Sequence, residues 1–250
     1  MSEEHPVRIP GPSPEIVFLH EGLGAATMWR GFPEALCAAL GRGGLVPDRR
    51  GHGTAEPFDD PVRGGHALDY HVREAEALID LLQRESIGQA ILFGHSDGGT
   101  IALLAAAMAP ERIAACITEA AHVFVEEITL AGIREAVGAY EAPDSRLKAA
   151  LLRHHGPERA EKVFYRWADA WLTPPFAAWN IEHRLSDVRC PVLAIQGLDD
   201  EYGTPAQVHA IVDQVSGPSE ALLIENSGHA PHLDSADRVI EAVGRFVGDL

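Results

Sequence analysis

LFGHSDGGTIALLAAAMAPER, residues 92–112, sets Ser96 between glycines at the point where an apolar run gives way to an alanine-rich helix. Gly94-His95-Ser96-Asp97-Gly98 fits G-x-S-x-G, with Ile91-Leu92-Phe93 before it and a helical pattern from Thr100 behind it. A chain that turns at once from strand into helix holds its middle residue in a strained conformation, and only small neighbours avoid collision. Gly94, Gly98 and Gly99 supply that room. The turn then pushes the Ser96 hydroxyl outward, and the start of the helix sets backbone N–H groups beside it, which favour developing negative charge. The same string arises by chance in glycine-rich loops, and it is the strand before, the helix after and the extra Gly99 that lift it above chance.

Outward from this turn the chain alternates. EIVFLH (15–20), GLVPDRR (44–50), AILFGH (90–95), ACIT (115–118), PVLAIQG (191–197) and ALLIENSG (221–228) are short apolar or β-branched runs closed by turn residues, and predict buried strands. Between several of them lie amphipathic stretches: FPEALCAAL (32–40), LDYHVREAEALIDLLQRE (68–85) and the terminal SADRVIEAVGRFVG (235–248). The order predicts an α/β fold, a mostly parallel central sheet with helices on both faces. From about Val123 to Ser186 the pattern is helical without a strand and holds Trp167, Trp171 and Trp179. Phe164, Trp167, Ala168 and Trp171 share one helical face, and Thr173-Pro174-Pro175 stops that helix. We read residues 123–186 as an inserted helical cap over the carboxyl edge of the sheet, and 1–122 with 187–250 as the core. The cap aromatics serve equally well to pack it on the body or to line a substrate pocket.

A length of 250 residues suits one such domain with an insertion. A net charge of -17 excludes the basic face that nucleic acid or an anionic membrane requires. The first 15 residues carry charges and prolines but no apolar leader core, and IALLAAAMA falls far short of the roughly 20 residues that span a bilayer. Cys37, Cys116 and Cys190 are odd in number, far apart and without a CxxC pair, as in small buried apolar residues of a cytoplasmic protein.

A serine hydroxyl is a weak nucleophile until a base takes its proton, so an imidazole and an acid to orient it are required elsewhere. In the strand-turn-helix arrangement they follow in the order serine, acid, histidine. Asp199 and Asp200 stand just past the run Pro191–Gly197, and His229 follows the last run and Ser227-Gly228. Asp200 is favoured over Asp199, with Glu119, after the ACIT run, as a substitute. With thirteen histidines, most are surface or hydrogen-bonded core residues, and neither His154-His155 nor the pair His229 and His232 has the company of a metal site.

The chain resembles the α/β-hydrolases of the esterase, lipase and C–C hydrolase type over essentially its whole length. The matching pieces, in order, are His20-Glu21-Gly22-Leu23-Gly24 with Trp29 beyond, Asp48-Arg49-Arg50-Gly51-His52-Gly53, Gly94 to Gly99, Pro191 to Asp200, and Gly228-His229-Ala230-Pro231-His232-Leu233. The resemblance implies Ser96 as nucleophile, Asp200 as acid and His229 as base. It implies an oxyanion hole from the N–H of Asp97 and an N–H of the loop after the first run, Gly22 or Leu23. Similar enzymes usually read His-Gly there, whereas this chain reads His20-Glu21-Gly22, and Glu21 is expected to point away from an oxyanion. Ala55 stands where serine is usual, and only 14 residues precede the first run, too few for two leading strands. His95, Trp167 and Trp171 are candidates for the substrate pocket.

The expected chemistry is a serine hydrolase cleaving a small ester-like carbonyl through an acyl-enzyme, with no metal and no organic cofactor. C–C bond hydrolysis, lactone or thioester hydrolysis, amide or aminopeptide cleavage and perhydrolysis use the same triad, and fold does not choose among them. A capped receptor of this fold that binds a small molecule without turnover is the reading from a different class.

Overall fold

The structure is a computed structural model that describes residues 6–57, 63 and 68–248. Among these, seven strands form one sheet in the order β1-β3-β2-β4-β5-β6-β7. They are β1 (Val7–Ile9), β2 (Glu15–Leu19), β3 (Gly44–Val46), β4 (Ala90–His95), β5 (Ile113–Glu119), β6 (Val192–Gly197) and β7 (Ser219–Ile224). Every neighbouring pair is parallel except β1 on β3, which is antiparallel. The helices are α1 (Phe32–Leu40), α2 (Tyr70–Arg84), α3 (Asp97–Met108), α4 (Glu127–Glu141), α5 (Arg146–His155), α6 (Ala160–Trp171), α7 (Pro205–Gln214), α8 (Pro231–Asp234) and α9 (Ala236–Val247).

Successive strand residues point to opposite faces, so each central strand feeds two cores. On one face Ile16, Phe18, Ile91, Phe93, Leu193 and Ile195 pack with Leu36 of α1 and Val239 and Val243 of α9. On the other Val17, Leu19, Leu92, Val192 and Ala194 pack with Leu78 and Leu82 of α2 and with α3. Ile101 through Ala106 of α3 are all buried, as expected for a helix that is apolar all round and lies inside the molecule.

Three differences from the sequence reading have local causes. β1 was not foreseen: Val-Arg-Ile between Pro6 and Pro10 is too short to show a period, yet it pairs with β3, so one strand precedes β2. The run 44–50 is strand only to Val46; Pro47 has no N–H for a ladder, and Asp48 turns to accept the N–H groups of Ala26 (2.7 Å) and Thr54 (3.0 Å). The last run stops at Ile224, with Asn226 at φ 56 turning the chain. Residues 1–5 of the leader reading lie outside the described residues.

Between β5 and β6 the chain passes through α4, α5, α6 and two 3₁₀ turns. Its two ends are tied together by a bridge between Phe124 and Asn180 and by the Ile181 N–H on the carbonyl of Val123 (2.8 Å). Phe164 of α6 stacks on Tyr140 of α4, centroids 3.8 Å apart. No helix among the described residues is long and apolar enough to cross a membrane. The three cysteines are buried and unpaired, and burial pushes the Cys37 and Cys190 thiols up to about 11.

Candidate active site

Ser96 sits between β4 and α3 with φ 53 and ψ -117, a strained conformation for a residue with a side chain. The glycines around it are required by contact. A Cβ on Gly98 would lie 2.0 Å from the carbonyl oxygen of Leu19, and one on Gly94 would lie 2.2 Å from that of Gly98. The turn is therefore pressed against the end of β2. The Ser96 N–H donates to the carbonyl of Glu119 (2.8 Å), and its own carbonyl accepts from Gly99 (2.9 Å) and Thr100 (3.1 Å). Asp97 opens α3, so its N–H is one of the helix-start donors without an acceptor inside the helix.

The loop after β2 is held by its carbonyls. Glu21 O accepts from Arg49 Nη2 (2.8 Å) and from His20 Nδ1 (2.8 Å), Gly22 O from His52 Nε2 (3.1 Å), and Leu23 O from His155 Nε2 (2.9 Å). Across a planar trans peptide the next N–H points the other way, so the N–H groups of Gly22 and Leu23 face away from this basic cluster. Gly22 lies against Asp97 and under Trp167: a Cβ there would be 3.0 Å from Asp97 Oδ2 and 2.3 Å from Trp167 Cδ1. Glu21 is half-buried and folds its carboxyl back over Gly24, where a Cβ would meet it. Burial raises that carboxyl above the ordinary range.

These imidazoles work as neutral groups. His20 and His52 are held well below the ordinary histidine value by burial and then by the Arg49 charge, and His95 by burial and then by His232 and His229. Below about pH 6.5 the unfolded chain takes up protons that the folded imidazoles refuse, so stability falls as pH falls. Each such group contributes a slope of up to about 1.4 kcal/mol per pH unit, and His122, His154 and His155, also lowered mainly by burial, add to it in the same direction. His229, whose value is raised, opposes them with one group. Urea midpoints taken from pH 7.5 to 5.5 are expected to fall steeply below pH 6.5, and a flat profile would contradict neutral buried imidazoles at His20, His52 and His95.

The acid and the base meet at the same sheet edge. His229 Nδ1 lies 2.9 Å from both carboxylate oxygens of Asp200. Asp200 is buried and takes further donors from Tyr202 N–H (2.7 Å) and Gln196 Nε2 (2.5 Å). Asp199 is exposed. Burial acting alone would lower His229, but the hydrogen bond and charge of Asp200, with Glu201 and Glu21 behind them, leave it above the ordinary value. Burial raises Asp200, yet its bonds to His229 and Tyr202 and the His229 charge bring it below its ordinary value. The Glu119 carboxylate accepts the backbone N–H and Nδ1–H of His232, while the acid on His229 Nδ1 is Asp200.

Two residues that the sequence reading missed complete the surroundings. The buried Asp97 carboxylate accepts the Tyr70 hydroxyl (2.9 Å) and His71 Nε2 (3.3 Å), and Trp171 Nε1 donates to the Tyr70 oxygen (3.1 Å). Burial opposes its ionisation, but His71, Arg49 and Tyr70 outweigh it and hold Asp97 well below the carboxylate range. A signal existed: His71, Ala75, Leu78 and Leu82 form one buried helical stripe, and a polar residue on such a stripe needs a partner. Trp171 is packed into this cluster, Trp167 covers Gly22, and His95 Nε2 donates to the His229 carbonyl (2.7 Å). His95, Glu119 and His232 are the one buried group of metal-ligand types among the described residues. Their facing atoms are engaged with each other and with His229.

The "Alpha/beta hydrolase family" matches residues 16–242. The mouse protein "Serine hydrolase BPHL" is 29% identical over 205 residues, covering 80% of this chain and 67% of that one, so this chain spans about two thirds of its length. "Esterase YbfF" of Escherichia coli is 26% identical over 219 residues, 81% of each chain. Among solved structures, an esterase from Exiguobacterium antarcticum superposes with a TM-score of 0.77 at 18% identity, covering 97% of this chain and 94% of that one.

Proposed function

We propose, for a chain that belongs to the alpha/beta hydrolase family, that it hydrolyses a small ester-like carbonyl substrate through an acyl-enzyme formed on Ser96. The observation that carries this reading is the His229 imidazole seated on both oxygens of Asp200, at the same carboxyl edge of the sheet where Ser96 stands on its strained turn. In this reading Asp200 holds Nδ1 protonated, which leaves Nε2 as the lone pair that takes the Ser96 proton. The hydroxyl attacks the carbonyl, and the oxyanion rests on the N–H of Asp97 and that of Gly22 or Leu23. The leaving group departs with the proton from His229, and water repeats the sequence on the acyl-enzyme.

The helices of residues 123–186 act as the cap, and Trp167 over Gly22 forms its contact with the oxyanion loop. The carboxylate of Asp97 beside that loop disfavours anionic acyl groups. The relatives' names, serine hydrolase and esterase, agree with this chemistry.

The test is fluorophosphonate labelling followed by a panel of p-nitrophenyl esters from acetate to octanoate. Stoichiometric labelling with multiple turnover of the short esters is expected, with kcat/KM falling along the series. Tight binding of the esters without turnover would replace the hydrolase with a receptor.

A further inference from the structure

Beside the Asp200 and His229 pair lies a second acid–imidazole pair that the proposed chemistry does not use. Glu119, the last residue of β5, is fully buried. Its Oε1 accepts the backbone N–H of His232 (2.6 Å) and its Oε2 accepts His232 Nδ1–H (2.5 Å). The backbone carbonyl of the same residue accepts the Ser96 N–H (2.8 Å). One residue thus touches the nucleophile turn through its main chain and the loop of the base through its side chain. The His232 ring is closed in by Trp29 (centroids 4.8 Å), His95 (5.0 Å) and Phe32 (5.3 Å). From the end of β4, His95 Nε2–H donates to the carbonyl of His229 itself (2.7 Å).

We propose that Glu119, acting through His232, and His95 are positioning residues that clamp the loop 228–232 and set the reach of the His229 imidazole toward Ser96. The inference rests on the hydrolase reading for its kinetic consequence. The chemistry of the clamp explains its residue types. Both partners of Glu119 are donors, so two acceptor oxygens are needed; an amide offers one oxygen and turns an N–H₂ against the remaining donor. The partner of His95 is a carbonyl, so a donor is needed at Nε2. An imidazole in a loop has no ladder to hold it, and a displacement of about 1 Å at a reacting centre costs about 100-fold in rate.

The variants are Glu119→Gln, His95→Leu and His95→Gln, the last of which can place an amide N–H₂ near the position of Nε2. Activity is expressed per site titrated by fluorophosphonate, which removes any loss of folded protein. Glu119→Gln and His95→Leu are expected to lower kcat by about 10- to 100-fold with KM within about threefold, and His95→Gln to restore kcat to within about threefold of the parent. The nitrogen-resolved imidazole spectrum of the free protein reads the His229 Nδ1–H bond without substrate. That signal is expected to broaden or shift in Glu119→Gln and His95→Leu and to persist in His95→Gln. If Glu119→Gln does not fold, the His95 pair decides. Parent-like kcat and an unchanged His229 signal in both Glu119→Gln and His95→Leu would overturn the clamp. A protein whose His229 signal responds as expected, yet whose parent does not label, keeps the clamp and loses the hydrolase reading.

Discussion

Ser96→Ala is expected to lower kcat/KM for p-nitrophenyl acetate by about 10⁴- to 10⁶-fold and to abolish fluorophosphonate labelling, with little change in thermal midpoint. The size follows from what is removed and what stays. The attacking oxygen goes, while the N–H of Asp97 and the oxyanion loop remain to bind a carbonyl, and such remnants accelerate hydrolysis by only about 10³- to 10⁴-fold over water. The fold tolerates the change because alanine is smaller and occupies the same φ 53 and ψ -117, and because the hydrogen bonds holding this turn are made by backbone atoms. A variant that keeps more than about 1% of parent activity would remove Ser96 from the reaction. A collapse of the thermal midpoint would instead assign the hydroxyl a structural role that its surroundings give no reason to expect.

Much of this site was legible in sequence because its constraints are local. The turn needs glycine at 94 and 98 for reasons that reach only to the ends of neighbouring strands, so the string G-x-S-x-G carries the geometry within itself. His229 was legible by its place after the last apolar run. Asp200 is favoured over Asp199 in sequence by its place after the strand's closing glycine in the family resemblance, and the fold adds the physical difference: the turn buries Asp200 against Tyr202 N–H and Gln196 and leaves Asp199 exposed. Glu119 has the right charge and a place at the right sheet edge, and only the fold shows that His232 has taken it. The basic cluster on the loop 20–24 draws His20, Arg49, His52 and His155 from three separate stretches, including α5, and no spacing in the chain announces it. β1 was missed for a related reason: three residues acquire strand character from pairing with β3.

The neighbouring aspartates give the second large effect. Asp200→Asn is expected to lower kcat/KM by about 10⁴-fold, and Asp199→Asn to leave it within about twofold. The carboxylate of Asp200 receives only donors: His229 Nδ1 on both oxygens, Tyr202 N–H on Oδ1 and Gln196 Nε2 on Oδ2. Asparagine keeps one oxygen. With that oxygen on Tyr202, its N–H₂ faces His229, which then presents Nδ1 as an acceptor and carries its proton on Nε2, where no lone pair is left for the serine proton. The charge is lost as well. Burial opposes protonation of His229 and the Asp200 interactions are the largest of those that overcome it, so their removal lowers the imidazole value. Parent activity is expected to fall as pH drops through a value above about 6.5, and the residual activity of Asp200→Asn through a lower one. Exposed Asp199 contributes its N–H to the carbonyl of Ser227 (2.9 Å), a bond that its asparagine variant keeps. Profiles of kcat/KM against pH for both variants test the assignment: a large loss in Asp199→Asn, or an acid limb that does not move in Asp200→Asn, would transfer the role of triad acid elsewhere.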